Sequence, residues 1–192
     1  MRDAANRETW LGDLVDELRP EFSARGYDLP PAIRIACGWP SKRATSKSNQ
    51  RIGECWRASC AADGATEIFI SPALAEPMRV ADVVVHELIH AALPEAGHKG
   101  PFKRAMSQLG LGGKATATIA TPELLVWLAP IVEACGAYPH AALTPGSNHP
   151  KQSTRLIKVV CPACEYTARI TQKWIDVGLP TCPCGEIMLD CV

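Results

Sequence analysis

The chain has 192 residues, 47% of them hydrophobic and 21% charged, a composition that can bury a core and is unlike that of a disordered chain. Its 20 Lys and Arg balance its 20 Asp and Glu, which excludes a global electrostatic attraction to nucleic acid and leaves only local basic patches. The most apolar windows, near 80–93 and 124–132, are too short and too interrupted to span a bilayer.

The N-terminal residues are polar and lack the apolar run of a signal peptide. The expectation is a soluble, cytoplasmic monomer without a membrane partner. Nine cysteines are present. The number is odd, no export signal precedes them, and four sit in tight pairs near the C-terminus, a pattern that suits metal binding better than disulfides.

In chain order, residues 8–25 read as a helix, with Trp10, Leu14, Leu18 and Phe22 recurring on one face. Pro20 is expected to kink or end it. Pro30-Pro31 precedes a short strand over 32–36. Residues 41–49, rich in Ser, Lys and Arg, read as an exposed loop. Two more strands follow over 53–57 and 66–70, with Asp63-Gly64 as turn material between them. Pro77 opens a strong helix to about residue 93, where Pro94 ends it. A second helix is expected over 101–109, closed by Gly110. A third starts at Pro122 behind Thr121 as N-cap and ends near Gly136. Residues 144–154 have linker composition.

His86-Glu87-Leu88-Ile89-His90 lies on the strong helix. Residues four apart share a helix face, so both imidazoles can reach one cation. Zinc held by three protein ligands keeps an open position for water, and Glu87 is placed to take the proton of that water as it attacks a carbonyl. His98, after Gly97 in a turn between two helices, is the best third ligand. Its step of eight residues from His90 differs from the six of the metzincin pattern. An acidic ligand is the competing idea: Glu95 is too close in sequence, and Glu123 lacks supporting context.

In the tail, Cys161-Pro162-Ala163-Cys164 and Cys182-Pro183-Cys184 flank a strand over 166–170. Two thiolate pairs brought together by a hairpin make a closed, structural zinc site. The compressed second pair leaves Cys191 as an alternative ligand. Cys37, Cys55, Cys60 and Cys135 are scattered and read as ordinary core or surface residues. Tyr138 and His140, in the loop after the third helix, read as structural rather than catalytic.

These motifs together resemble the SprT-like metallopeptidases, above all those encoded by phages and prophage-bearing bacteria. The stretch from His86 through Gly97-His98-Lys99-Gly100-Pro101-Phe102-Lys103 carries the likeness. Gly53-Glu54-Cys55-Trp56, Ile68-Phe69-Ile70-Ser71-Pro72, Tyr138-Pro139-His140 and Lys151-Gln152-Ser153-Thr154-Arg155 extend it over about residues 30–190. The resemblance implies His86, His90 and His98 as ligands of a catalytic zinc and Glu87 as the acid/base. The related Spartan proteases cleave proteins crosslinked to DNA, which implies a protein substrate on or near DNA, in a host cytoplasm if the chain is phage-encoded.

The departure is charge: residues 151–192 carry five Lys and Arg against four Asp and Glu. Lys42, Arg43, Lys47 and Arg51, with Arg57 beyond them, form a local basic stretch and are the candidate nucleic-acid contacts.

The expected architecture is α+β: a small antiparallel sheet packed on the His-Glu helix and its flanking helices (zincin-like), with a C-terminal zinc ribbon. The expected division is a catalytic domain over 1–143, a linker over 144–154 and a ribbon over 155–192. The expected cofactors are two zinc ions, one catalytic and one structural. Two function classes follow. One is a zinc metallopeptidase hydrolysing peptide bonds. The other is a nucleic-acid-associated binding or regulatory module that uses zinc for structure.

Overall fold

The computed structural model describes residues 4–46, 48–144 and 155–190. The chain divides into two compact units, Met1–Pro145 and Gly146–Val192. Lys47, Cys191 and all but the first residue of the expected linker lie outside the described residues.

The first unit opens with α1 (Arg7–Ala24), whose N-cap Asn6 accepts a hydrogen bond from the Thr9 N–H. Trp10, Leu14, Leu18 and Phe22 are fully buried along one face. Pro20 does not end the helix. It and Asp16 face solvent, so the Asp16 carbonyl that the proline leaves without a donor can be hydrated.

Arg7 is buried at the start of α1 and ties it to two distant segments. Its guanidinium donates to the carbonyls of Pro72 (3.2 Å), Pro139 (3.0 Å), His140 (3.3 Å) and Ala141 (2.8 Å) and lies 5.0 Å over the Tyr138 ring. Tyr138 in turn packs edge-on against Trp10, centroids 4.9 Å apart.

Three strands make a small sheet: β1 (Ile33–Cys37), β2 (Gly53–Trp56) and β3 (Thr66–Ile70), in the order β1-β3-β2. The sheet is mixed, which corrects the antiparallel expectation. β1 runs parallel to β3, Ile33 opposite Thr66 and Cys37 opposite Ile70. β2 runs antiparallel to β3, Gly53 opposite Ile70 and Trp56 opposite Glu67. The chain passes from β1 to the far edge, where β2 runs opposite to β1, then turns back into the centre, so β3 shares the direction of β1. β3 takes the central place because Ile68 and Ile70 bury completely against the helices.

Helix α2 (Pro77–Ala92) crosses the middle of the unit. Glu76 caps it, accepting from the Met78 and Arg79 N–H groups, and the Leu93 N–H closes it on the Ile89 carbonyl. Val80, Ala81, Val84, Val85, Leu88 and Ile89 are all fully buried, so nearly its whole circumference is covered. Helices α3 (Gly100–Gln108) and α4 (Pro122–Cys135) complete the core through Phe102, Leu124 and Leu128.

Between α3 and α4 lies a hairpin without a counterpart in the sequence-based expectations: β4 (Leu111–Lys114) paired antiparallel with β5 (Ala117–Ala120). Its Gly112-Gly113 has little intrinsic strand preference, and packing against α2 and α3 holds it. Thr121 occupies the N-cap position of α4 but does not cap with its side chain. Its hydroxyl donates instead to the Gly110 carbonyl at 2.8 Å, fastening the base of the hairpin.

The second unit contains β6 (Leu156–Val160), β7 (Thr167–Thr171), α5 (Gln172–Val177) and β8 (Leu189–Asp190), with antiparallel sheet order β7-β6-β8. Its core is small: Val159, Cys161, Cys182 and Met188, flanked by Ala168, Ile170, Ile175 and Leu179. Among the described residues no helix is long and apolar enough to cross a membrane.

Candidate metal centre and cleft

His86 and His90 project from one face of α2, one turn apart, as their spacing dictates. The chain beyond α2 folds back over them. Lys99 N–H donates to the Ala96 carbonyl, and Gly97 takes φ +52°, a left-handed conformation that favours glycine. This turn brings the His98 Nε2 to 3.2 Å from that of His90 and 3.5 Å from that of His86. A tetrahedral ion with Zn–N bonds of about 2.0–2.1 Å sets its nitrogen ligands about 3.3 Å apart, so the donor set fits such an ion without rearrangement.

All three rings pack on Phe102, a fully buried side chain of α3, at centroid distances of 5.0 Å (His86), 4.5 Å (His90, stacked) and 4.9 Å (His98). One aromatic platform thereby restricts the orientation of every imidazole.

The second nitrogen of His86 is also engaged. Its Nδ1 lies 2.9 Å from the Thr118 hydroxyl oxygen, on the buried face of β5. With Nε2 turned toward the other histidines, the tautomer this geometry assigns has Nδ1–H donating to Thr118. Burial, with the other histidines adding to it, pushes His86 down to about 3; burial and the neighbouring His98 push His90 down to about 4. His98 is lowered as well, chiefly by burial. Each shift favours the neutral imidazole, the form that can donate its nitrogen to a metal.

Glu87, next to His86 on α2, points toward β2. It is 6% exposed, and burial pushes its carboxyl up to about 8, with Glu54 acting in the same sense and Arg51 against it. A cation held by the histidines would act in the opposite direction. Gly53 makes this position feasible. A Cβ added there would stand 2.3 Å from the Glu87 Oε1 and 2.8 Å from the Val83 Cγ1. Only a residue without a side chain lets β2 lie this close to the carboxylate.

His86, Glu87, His90 and His98 share one cleft of about 1100 Å³, whose walls include Gly53, Trp56, Arg57 and Thr118. Of the candidate nucleic-acid contacts, Arg43 and Arg51 line this cleft, whereas Lys42 is exposed beside it and does not. Cys55 and Cys60 also line it, and burial pushes the Cys55 thiol up to about 12, an inert form. Tyr138 and His140 do not line the cleft; they belong to the Arg7 clamp. Glu95 pairs with Arg57 at 2.8 Å, and Glu123 bonds to Thr121, so neither acidic candidate joins the histidines.

Thr118, Gly53 and Phe102 complete the site; Gly53 and Phe102 fall within the motifs that carry the family resemblance, and Thr118 falls outside them. A polar residue facing inward on a strand between two helices was the available signal for Thr118.

In the second unit the four paired cysteines converge. Cys161 Sγ is 3.5 Å from Cys184 Sγ, and Cys164 Sγ is 3.4 Å from Cys182 Sγ, with all four sulfurs within 4.8 Å of one another. Zn–S bonds of about 2.3 Å place tetrahedral sulfurs about 3.8 Å apart, in the middle of this range. The Cys161–Cys164 knuckle turns after β6, and the Cys182 N–H closes the second knuckle on the Glu186 carbonyl at 2.7 Å. Cys161 and Cys182 are at the same time core residues, so a metal there would substitute for the apolar mass the unit lacks.

The chain thus carries two groups able to hold a metal ion, one of three histidines and one of four cysteines. No family model, no curated protein and no solved structure matches this chain.

Proposed function

We propose that the chain is a zinc metallopeptidase, as its resemblance to SprT-like enzymes implies, with one zinc at His86, His90 and His98 and a second, structural zinc at Cys161, Cys164, Cys182 and Cys184. The observation that carries this reading is the convergence of three neutral imidazole nitrogens beside a buried carboxylate in one open cleft. Zinc held by the histidines would supply Lewis acidity, polarising a carbonyl and lowering the pKa of water. Glu87 accepts the proton of the attacking water and hands it to the departing amine nitrogen.

Substrate positioning falls to β2. It is an edge strand of the sheet. Its outward N–H and C=O groups can take an extended segment as an added strand and carry it past Glu87. Phe102 and Thr118 hold the imidazoles in place while this occurs.

The test combines activity with metal counting. Glu87→Gln is expected to keep two zinc ions per chain and lose cleavage of an unfolded protein substrate; His86→Ala is expected to keep one zinc. Cleavage by Glu87→Gln at the wild-type rate would overturn the mechanism.

One observation favours a second reading, a nucleic-acid-associated module. Tyr166 and Trp174 are exposed on the second unit, with the Lys173 Nζ 5.2 Å from the Trp174 ring centroid, and bases stack on such surfaces. A gel shift on single- and double-stranded DNA that shows no binding at low salt would remove this reading.

A further inference from the structure

The walls of the cleft carry an excess of positive charge. Arg43, Arg51, Arg57, Arg79 and Lys114 line it, against Glu54 and Glu87. Three of these cations have partners in the fold. Arg51 pairs with Glu54, which is held in turn by the Ser41 N–H and hydroxyl at 2.7 Å each. Arg79 grips both oxygens of Asp82 at 2.6 and 2.8 Å. Arg57 meets Glu95 at 2.8 Å, both side chains well exposed. Arg43 and Lys114 have no ion-pair partner among the described residues, and both are exposed.

Their placement is specific. Arg43 sits in the loop that leads into β2, the strand against Glu87. Lys114 ends β4, the partner of the strand that sets Thr118 against His86. The two unpaired cations thus line the cleft from two separate segments, the loop before β2 and the end of β4, together with the histidines and Glu87. Arg43 is also fixed in an unusual backbone conformation, φ +56°, while its carbonyl accepts from the Ser46 and Arg51 N–H groups at 3.2 and 3.3 Å. A residue other than glycine held there is a cost that the rest of the loop must offset, and such residues cluster at binding sites.

We infer that this cleft selects polypeptide segments with acidic side chains on both sides of the bond at the histidines, Arg43 and Lys114 each receiving one carboxylate. The inference rests on the peptidase reading for what happens at the floor of the cleft, but the charge selection is a property of the walls. A polyanion backbone is the less suited occupant. Phosphate contacts need cations in series along one track, whereas the unpaired cations here belong to two separate segments of the cleft lining, the loop before β2 and the end of β4.

The test uses the zinc-loaded full chain and three peptides identical except for flanking residues that are acidic, neutral amides or basic. The expected order of kcat/KM is acidic, neutral, basic, with about a two- to fivefold gain per acidic side chain that shrinks as ionic strength rises. In Arg43→Gln/Lys114→Gln the ratio of acidic to neutral cleavage is expected to collapse. Equal cleavage of the three peptides by the wild type, or an unchanged ratio in the double variant, would overturn the inference.

A second arm measures binding of the same peptides, fluorescently labelled, to the Glu87→Gln protein by anisotropy. Acidic preference in binding with no cleavage by the wild type would sink the peptidase reading and leave the charge selection standing. Binding of a single-stranded oligonucleotide that is lost in the double variant, with no ranking among peptides, would overturn it in favour of a phosphate site.

Discussion

Replacing Thr118 by Val isolates the contribution of a group that never touches the metal. Valine has nearly the same volume and the same branching, so β5 and its packing on α2 persist. What disappears is the acceptor 2.9 Å from the His86 Nδ1. Thr118 is 7% exposed, so water has little access to replace the hydroxyl. The His86 Nδ1–H is then left without a partner, and the ring loses its orienting bond. Loss of such a partner typically lowers metal affinity about 10- to 100-fold, which is about 1.4–2.7 kcal/mol. The independent cost of leaving a buried donor without its partner, about 1–3 kcal/mol, agrees. The assay is zinc competition with a chromogenic chelator, supported by the visible spectrum of the cobalt-substituted protein, which reports ligand geometry directly. Thr118→Ser is expected to restore affinity, because it keeps the hydroxyl. An unchanged zinc affinity in Thr118→Val, or a Thr118→Ser variant as weak as Thr118→Val, would refute the orienting role.

Two further outcomes follow from the same geometry. Gly53→Ala places a Cβ 2.3 Å from the Glu87 Oε1. The strand or the carboxylate must move, at a cost of about 1–3 kcal/mol in stability and, with Glu87 displaced by about 1 Å, about a hundredfold in kcat/KM. Two zinc ions per chain are expected to remain, and full activity in this variant would contradict the tight approach of β2.

The pH dependence of zinc retention provides the other test. Protons compete with the metal only below the pKa of each imidazole, and burial lowers all three, to about 3 for His86 and about 4 for His90. A depressed pKa extends the neutral donor form to lower pH, so the histidine site is expected to keep its zinc well below pH 6.5, with the more exposed His98 the first to compete. Metal counting after dialysis at stepped pH, taken as the difference between the intact protein and His86→Ala, measures this. Release centred on the ordinary histidine pKa of about 6.5 would contradict it.

Much of the candidate site was legible in one dimension because it depends on short spacings. Pro77, the apolar pattern from Val80 to Leu88 and Pro94 define α2 to within a residue. Within it a four-residue step puts His86 and His90 on one face. Gly97 marks the turn that returns His98, and β3 falls on the residues expected of it. The cysteine pairs converge as their spacing suggested. The differences share a cause. Pro20 lies inside α1 without ending it, because its face is solvated. The parallel pairing of β1 with β3 depends on which strand takes the centre. The β4–β5 hairpin is weak by local preference and exists because α2 and α3 support it.

Sequence alone determined the candidate donor set, the helix that presents it and the separate cysteine cluster, since each follows from helical period, turn residues or paired thiols within a few positions of one another. The tertiary fold alone decided what surrounds the donors. Thr118 is 32 residues from His86, Gly53 reaches Glu87 from strand β2, and Arg43 and Lys114 line the same cleft from two separate segments. Contacts at such separations are set by how the hydrophobic faces pack together, and no local rule encodes that packing.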